Sequence, residues 1–178
     1  MDLTRLYADI EAHGPLPPIE RWDPPFCGNI DMHIRHDGTW LYNGSPITRP
    51  AMVRLFAGIL RREGNAYFLV TPVEKVGLTV EDAPFIAVEM TAENGVLTFR
   101  TNVGDLVTAD AAHSLRFESD DNGFRPYICV RNGLEARLSR PLAQDLAGRG
   151  YIRDHLGTPC FGVSSGSLFF PVIRADHL

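Results

Sequence analysis

Ile47-Thr48-Arg49-Pro50-Ala51-Met52-Val53-Arg54-Leu55 and Leu138-Ser139-Arg140-Pro141-Leu142-Ala143-Gln144-Asp145-Leu146 carry one pattern. Ile or Leu is followed by Thr or Ser, then Arg-Pro, and a Leu stands five residues after the proline. Every position of the second copy lies 91 residues beyond its counterpart. The pattern reads as a helix start. Proline suits the first helical turn, where its missing N–H would have no intrahelical partner anyway. Met52, Leu55, Phe56, Ile59 and Leu60 follow at helical spacing and define one buried stripe. Outward from the helix the likeness continues. Asn43-Gly44 matches Asn132-Gly133 at an offset of 89, and Gly64, Phe68, Val70 and Thr71 match Gly157, Phe161, Val163 and Ser164 at 93. The order is hairpin turn, capped helix, glycine turn, strand, twice over, and short loop insertions absorb the drift.

This pattern predicts an α+β fold with a duplicated hairpin-helix-strand unit in two lobes. The N-terminal lobe is expected over residues 1–78, as a leading helix plus the first repeat. The C-terminal lobe, over 79–178, is expected to be β-rich and to carry the second. Leu3, Leu6, Tyr7 and Ile10 give the leading helix its apolar face. Ile30, Met32 and Ile34 alternate with polar residues as a half-buried strand does, and His36-Asp37-Gly38 signals a hairpin. Strands are predicted over 39–42, 67–70, 85–90, 96–101, 106–108, 115–118 and 127–130, with Asn94-Gly95 as a further hairpin turn. One or two more fall over 160–172.

The chain has 178 residues, 44% of them hydrophobic and 22% charged, enough for a core without staples. Its net charge of −5 argues against bulk nucleic-acid binding. No stretch approaches a membrane span, and the N-terminus lacks a signal peptide's basic start and apolar core. Cys27, Cys129 and Cys160 are odd in number and form no Cys-x-x-Cys pair. Reduced thiols in the cytoplasm are therefore expected.

The residues show no phosphate-binding loop, dinucleotide fingerprint, zinc-protease motif or nucleophile elbow. No metal or cofactor is expected. His33 and His36 beside Asp31 and Asp37 look like ligands, but on a continuous strand the two histidines would point to opposite faces. The cysteines sit in apolar contexts and read as inert. Binding groups are easier to find. Glu74 and Lys75 follow a strand between Pro72 and Gly77. Thr101, Asn102 and Asp105 end another strand around Gly104. Such loops either present ligand groups or bond their own backbone. Arg49 and Arg140 stand at equivalent helix starts, where the dipole favours anions and a guanidinium fork suits phosphate. Arg125, Tyr127 and Arg131 alternate along one strand and so share a face, and Pro126 marks that strand as an edge.

Several runs together resemble the bacterial DUF1285 family. They are Arg21 to Met32 (RWDPPFCGNIDM), Asp37 to Trp40, Ser45 to Ile47, Val53 to Phe56, Val70 to Gly77 (VTPVEKVG) and Val80 to Phe85. Thr101-Asn102-Val103, Arg125-Pro126-Tyr127 and Phe169-Phe170-Pro171 complete the set. The resemblance implies a duplicated motif and a C-terminal half superficially like a pleckstrin-homology barrel. It also implies a nucleotide-like ligand with a signalling role, bound where the halves meet.

The sequence therefore points to binding rather than catalysis. The expected ligand is small and anionic. Lys75, Arg49, Arg125 and Arg140 would supply charge, Tyr127 a stacking ring, and Glu74, Thr101, Asn102 and Asp105 would orient hydroxyls or basic groups. Two alternatives stand. One is a protein-interaction module using an edge strand of the C-terminal lobe. The other is a hydrolase or redox enzyme pairing Cys27, Cys129 or Cys160 with a histidine such as His113 or His155.

Overall fold

The structure, a computed structural model, describes residues 16–178 together with Thr4 and Ala8. The leading helix falls outside these residues apart from those two positions, which are helical. The chain divides into two compact units, Met1–Pro84 and Phe85–Leu178. The expected division at 78/79 would cut a strand that the first unit holds. The chain stays in that unit through Glu81, whose N–H donates to Ile34 O at 3.0 Å.

In the first unit, a single 3-10 turn (Ile19–Arg21) leads into β1 (Phe26–Ile34), β2 (Trp40–Tyr42) and β3 (Ser45–Pro46). Helix α1 (Pro50–Gly58) follows, then β4 (Leu60–Glu63), β5 (Ala66–Val70) and β6 (Lys75–Val80). They form one six-stranded sheet in the order β3-β2-β1-β6-β5-β4. Pairing is antiparallel except between β1 and β6. A parallel pair needs a crossover, and the chain from β2 to β5 supplies it. Met32, Ile34, Trp40, Phe56, Ile59, Leu69 and Val76 are buried as the core. At Gly77 a Cβ would land on the Asn29 side chain, so glycine lets β6 close against β1 there.

The second unit opens with β7 (Phe85–Glu93), β8 (Val96–Thr101), β9 (Leu106–Thr108), β10 (Leu115–Asp120), β11 (Gly123–Arg131) and β12 (Leu134–Leu138). Their sheet order is β10-β11-β12-β7-β8-β9, with β12 and β7 parallel. Helix α2 (Arg140–Gly148) leads to a separate three-stranded sheet of β13 (Tyr151–His155), β14 (Thr158–Ser165) and β15 (Leu168–Arg174). The turn between β14 and β15 is tied to β8. Leu97 N–H donates to the buried Ser165 Oγ at 3.0 Å, and Gly166 N–H to Gly95 O at 2.8 Å.

The duplication is present. In each unit a hairpin closing on Asn-Gly (Asn43-Gly44, Asn132-Gly133) precedes a helix opening on Arg-Pro, and a three-stranded meander follows. Both asparagines and both glycines have positive φ, as a two-residue hairpin turn demands. The repeat is larger than expected, because a meander replaces the single predicted strand.

Candidate functional site

The cavity in the second unit is built by a hairpin end. β10 and β11 pair from Leu115↔Ile128 to Asp120↔Gly123, so Phe117 and Phe124, on either side of the turn, share a face. Their rings stack with centroids 5.7 Å apart and planes at 16°. This pair forms one wall of a cavity of about 250 Å³. Ala147 of α2, Phe161 of β14 and Val172 of β15 also line it. Glu118 and Ser119 are the polar residues of the lining. Phe161 reaches this position past Gly150, where a Cβ would clash with the tip of the phenylalanine ring.

The charges beside the cavity are mutually satisfied. Arg125 donates to Asp120 at 2.7 and 3.1 Å and to Glu118 at 3.3 Å. Arg116 donates to Glu118 and, through two nitrogens at 2.9 Å each, to Glu135. The Arg125 guanidinium holds the Asp120 carboxyl below its ordinary range, and Arg116 does the same for Glu118. A ligand here meets apolar walls and a neutralised rim.

The residues singled out from sequence divide between the two units. In the first unit, Lys75 opens β6 rather than lying in a loop; its Nζ donates to both Glu63 oxygens, at 3.1 and 3.2 Å, and lies 4.8 Å from the Phe68 ring centre. Glu74 is half-buried in a turn closed by Thr71, whose Oγ1 accepts the Glu74 N–H at 3.1 Å. Arg49 is exposed and caps α1 without a side-chain capping bond.

In the second unit, the 101–105 turn bonds itself. Asp105 N–H donates to Thr101 Oγ1, Asn102 Oδ1 accepts the Ile86 N–H, and Asp105 pairs with Arg131. Tyr127 is buried, with the Arg116 guanidinium 4.1 Å from its ring centre. Arg140 is exposed at the first turn of α2. Two expectations about β11 are corrected. It lies between β10 and β12 and is no edge. A bulge between Cys129 and Arg131 sets Arg131 opposite the inward-facing Leu134, off the face of Arg125 and Tyr127 and over the Phe85 ring.

The histidine pair also needs correction. β1 ends at Ile34, so the following turn curls back and both rings reach one carboxylate. His33 Nε2 lies 2.9 Å from Glu81 Oε1, and His36 Nδ1 lies 3.0 Å from Oε2, which also accepts the His36 N–H at 2.7 Å. These contacts, the backbone one foremost, lower the Glu81 pKa to about 2. No group of three or more histidine, cysteine or acidic side chains among the described residues is arranged to hold a metal ion. The thiols are unpaired: Cys27 is exposed and donates to Pro25 O, Cys129 is half-buried and Cys160 buried. His113 is held by Asp110 and His155 lies against Phe169.

The cavity residues escaped the sequence reading, which weighed polar side chains. The available signal was the placement of Phe117 and Phe124 around the Asp120-to-Gly123 turn.

Residues 17–83 match the family profile described as domain of unknown function (DUF1285), N-terminal domain. Residues 84–172 match that of protein of unknown function (DUF1285), C-terminal domain. Among solved structures, a DUF1285 family protein from Silicibacter pomeroyi DSS-3 is 45% identical, with a TM-score of 0.89 over 99% of this chain and 97% of that one. A DUF1285 family protein from Shewanella baltica OS155 is 30% identical, with a TM-score of 0.55 over 66% of this chain and 90% of that one. No curated protein matches.

Proposed function

The chain belongs to the DUF1285 family, and from that premise we propose that it is a ligand-binding protein whose C-terminal unit takes a small, flat, largely apolar molecule. The observation that carries this reading is the cavity walled by the stacked Phe117 and Phe124 rings. Aromatic faces favour an offset ring or a flat chain laid on them. At about 250 Å³ the space falls just under the usual range for ligand sites, so the guest is one ring or a short acyl chain. The rim disfavours a strongly charged guest, because an anion would meet Glu118 and Asp120 and a cation the two arginines that hold them.

A panel of small aromatic and acyl compounds, read by thermal shift, tests this. A ligand at 100 times its dissociation constant stabilises by about 2.7 kcal/mol. The shift should vanish in Phe124→Ala; no shift anywhere in the panel would sink the reading.

A second reading keeps the anionic, nucleotide-like ligand and the regulatory role that the family resemblance implies. What favours it is that Arg49 and Arg140 are exposed at equivalent helix starts, with no ion pair to another described residue. Against it, Pro50 and Pro141 each remove one N–H donor from the turn that would hold the anion. Nucleotides added to the same panel, with Arg49→Ala and Arg140→Ala as controls, separate the two readings.

A further inference from the structure

Open sheet edges invite pairing, and natural folds guard them with brevity, proline or charge. Most edges here are guarded. β3 is two residues long and ends in Pro46, and β9 has three residues. β4 carries Arg61 and Arg62, β10 ends on Glu118 and Asp120, and β15 contains Pro171. β13 is different. It carries charge as well, in Arg153 and Asp154, but among the described edges it is the one that exposes two adjacent large apolar side chains, and β14 is its one neighbour among the described residues. Tyr151 and Ile152 are 44% and 57% exposed on it.

We propose that β13 pairs antiparallel with β13 of a second copy, about a two-fold axis at Ile152. The argument is one of register. A two-fold axis perpendicular to a sheet can oppose only residues whose side chains share a face. Centred on Arg153 it would oppose two guanidinium groups, and on Asp154 two carboxylates, both unfavourable. Centred on Ile152 it opposes two isoleucines and sets Tyr151 against Arg153 of the copy, a ring and a cation that attract. Asp154 then faces Gly150 of the copy.

The same register extends an apolar row. Ile152 lies opposite Phe161, and Phe161 opposite Ile173. Across the axis Ile152 meets its copy, which joins the two rows into one stripe over a six-stranded sheet. On the other face, Tyr151, Arg153 and His155 already gather around Phe169. Phe161 and Ile173 also line the cavity, so each end of the stripe reaches a ligand site.

A pairing through five-residue strands buries less than the roughly 1,200 Å² of a stable interface, so the dimer is weak and concentration-dependent. Sedimentation equilibrium of the full chain should show it, and Ile152→Lys should abolish it without lowering the melting temperature. In a Cys27→Ser background, Ile152→Cys should form an oxidised dimer and Asp154→Cys should not. A chain that stays monomeric through the series and gives no cross-link at 152 overturns the proposal. So does preferential cross-linking at 154, a dimer that survives Ile152→Lys, or a β13 edge that pairs with an unrelated extended peptide and not with itself.

Discussion

Replacing Ala147 with leucine should stabilise the protein. Ala147 is half-buried on α2 and lines the cavity beside Phe161. Leucine adds three carbons, which a space of about 250 Å³ accepts without displacing a wall. Full burial of three carbons, at about 0.8 kcal/mol each, would contribute about 2.4 kcal/mol. The cavity opens to solvent, which reduces that gain, and ordering the leucine side chain costs about 0.5–1 kcal/mol. The net expectation is about 1 kcal/mol, a rise in melting temperature of about 2–4 °C for a chain of this length. Scanning calorimetry measures the rise, and the ligand panel run on the same variant should lose its response. A lower melting temperature would refute the reasoning, because overpacking a filled region costs about 1–3 kcal/mol. A stabilised variant that still binds would locate the ligand elsewhere.

Two further expectations follow from single contacts. Ser165→Ala removes the acceptor of the Leu97 N–H at a buried position and should cost about 1–3 kcal/mol in urea denaturation, while Ser165→Thr should recover part of it. The Glu81 pKa is about 2 in the folded chain, below its ordinary 4.5, so its ionised form contributes stability above pH 4.5 that is lost as pH falls through about 2. Glu81→Gln should flatten that acid limb in denaturation series run between those pH values; an unchanged limb would show that the contacts from His33 and His36 contribute nothing.

The duplicated frame was legible because its signals are local. Asn-Gly turns and Arg-Pro helix starts state their backbone geometry in two residues each, and all four behave as their chemistry dictates. What stayed hidden depends on partners. Glu74 and Lys75 read as a loop pair between Pro72 and Gly77 until β1 lies beside β6 and Asn29 needs the space that the glycine leaves. Tyr151 to His155 shows no inward alternation because four of its five residues are exposed. The binding cations looked available only because their acids stand 5 and 12 residues away in sequence, Asp120 for Arg125 and Glu63 for Lys75. The cavity draws on β10, β11, α2, β14 and β15, a convergence that no window of sequence contains.

The two copies of the repeat differ where the proposed activities fall. In the first, β6 pairs with β1 and the meander becomes part of a larger sheet. In the second, β15 has no such partner strand among the described residues, and the meander stands as its own sheet. The position of Arg61 in β4 corresponds to Ile152 in β13. The Arg61 guanidinium donates to the carbonyls of Ile19 and Trp22, which ties the 3-10 turn to this strand. Ile152 has no guanidinium to fasten a cover and stands 57% exposed. The strands that the second unit adds before its repeat include β10, which supplies Phe117 to the cavity wall. One copy thus joins its meander to β1 in a single sheet, whereas the other holds its meander to β8 only at the β14–β15 turn and leaves an apolar recess beside it and Ile152 exposed at its edge.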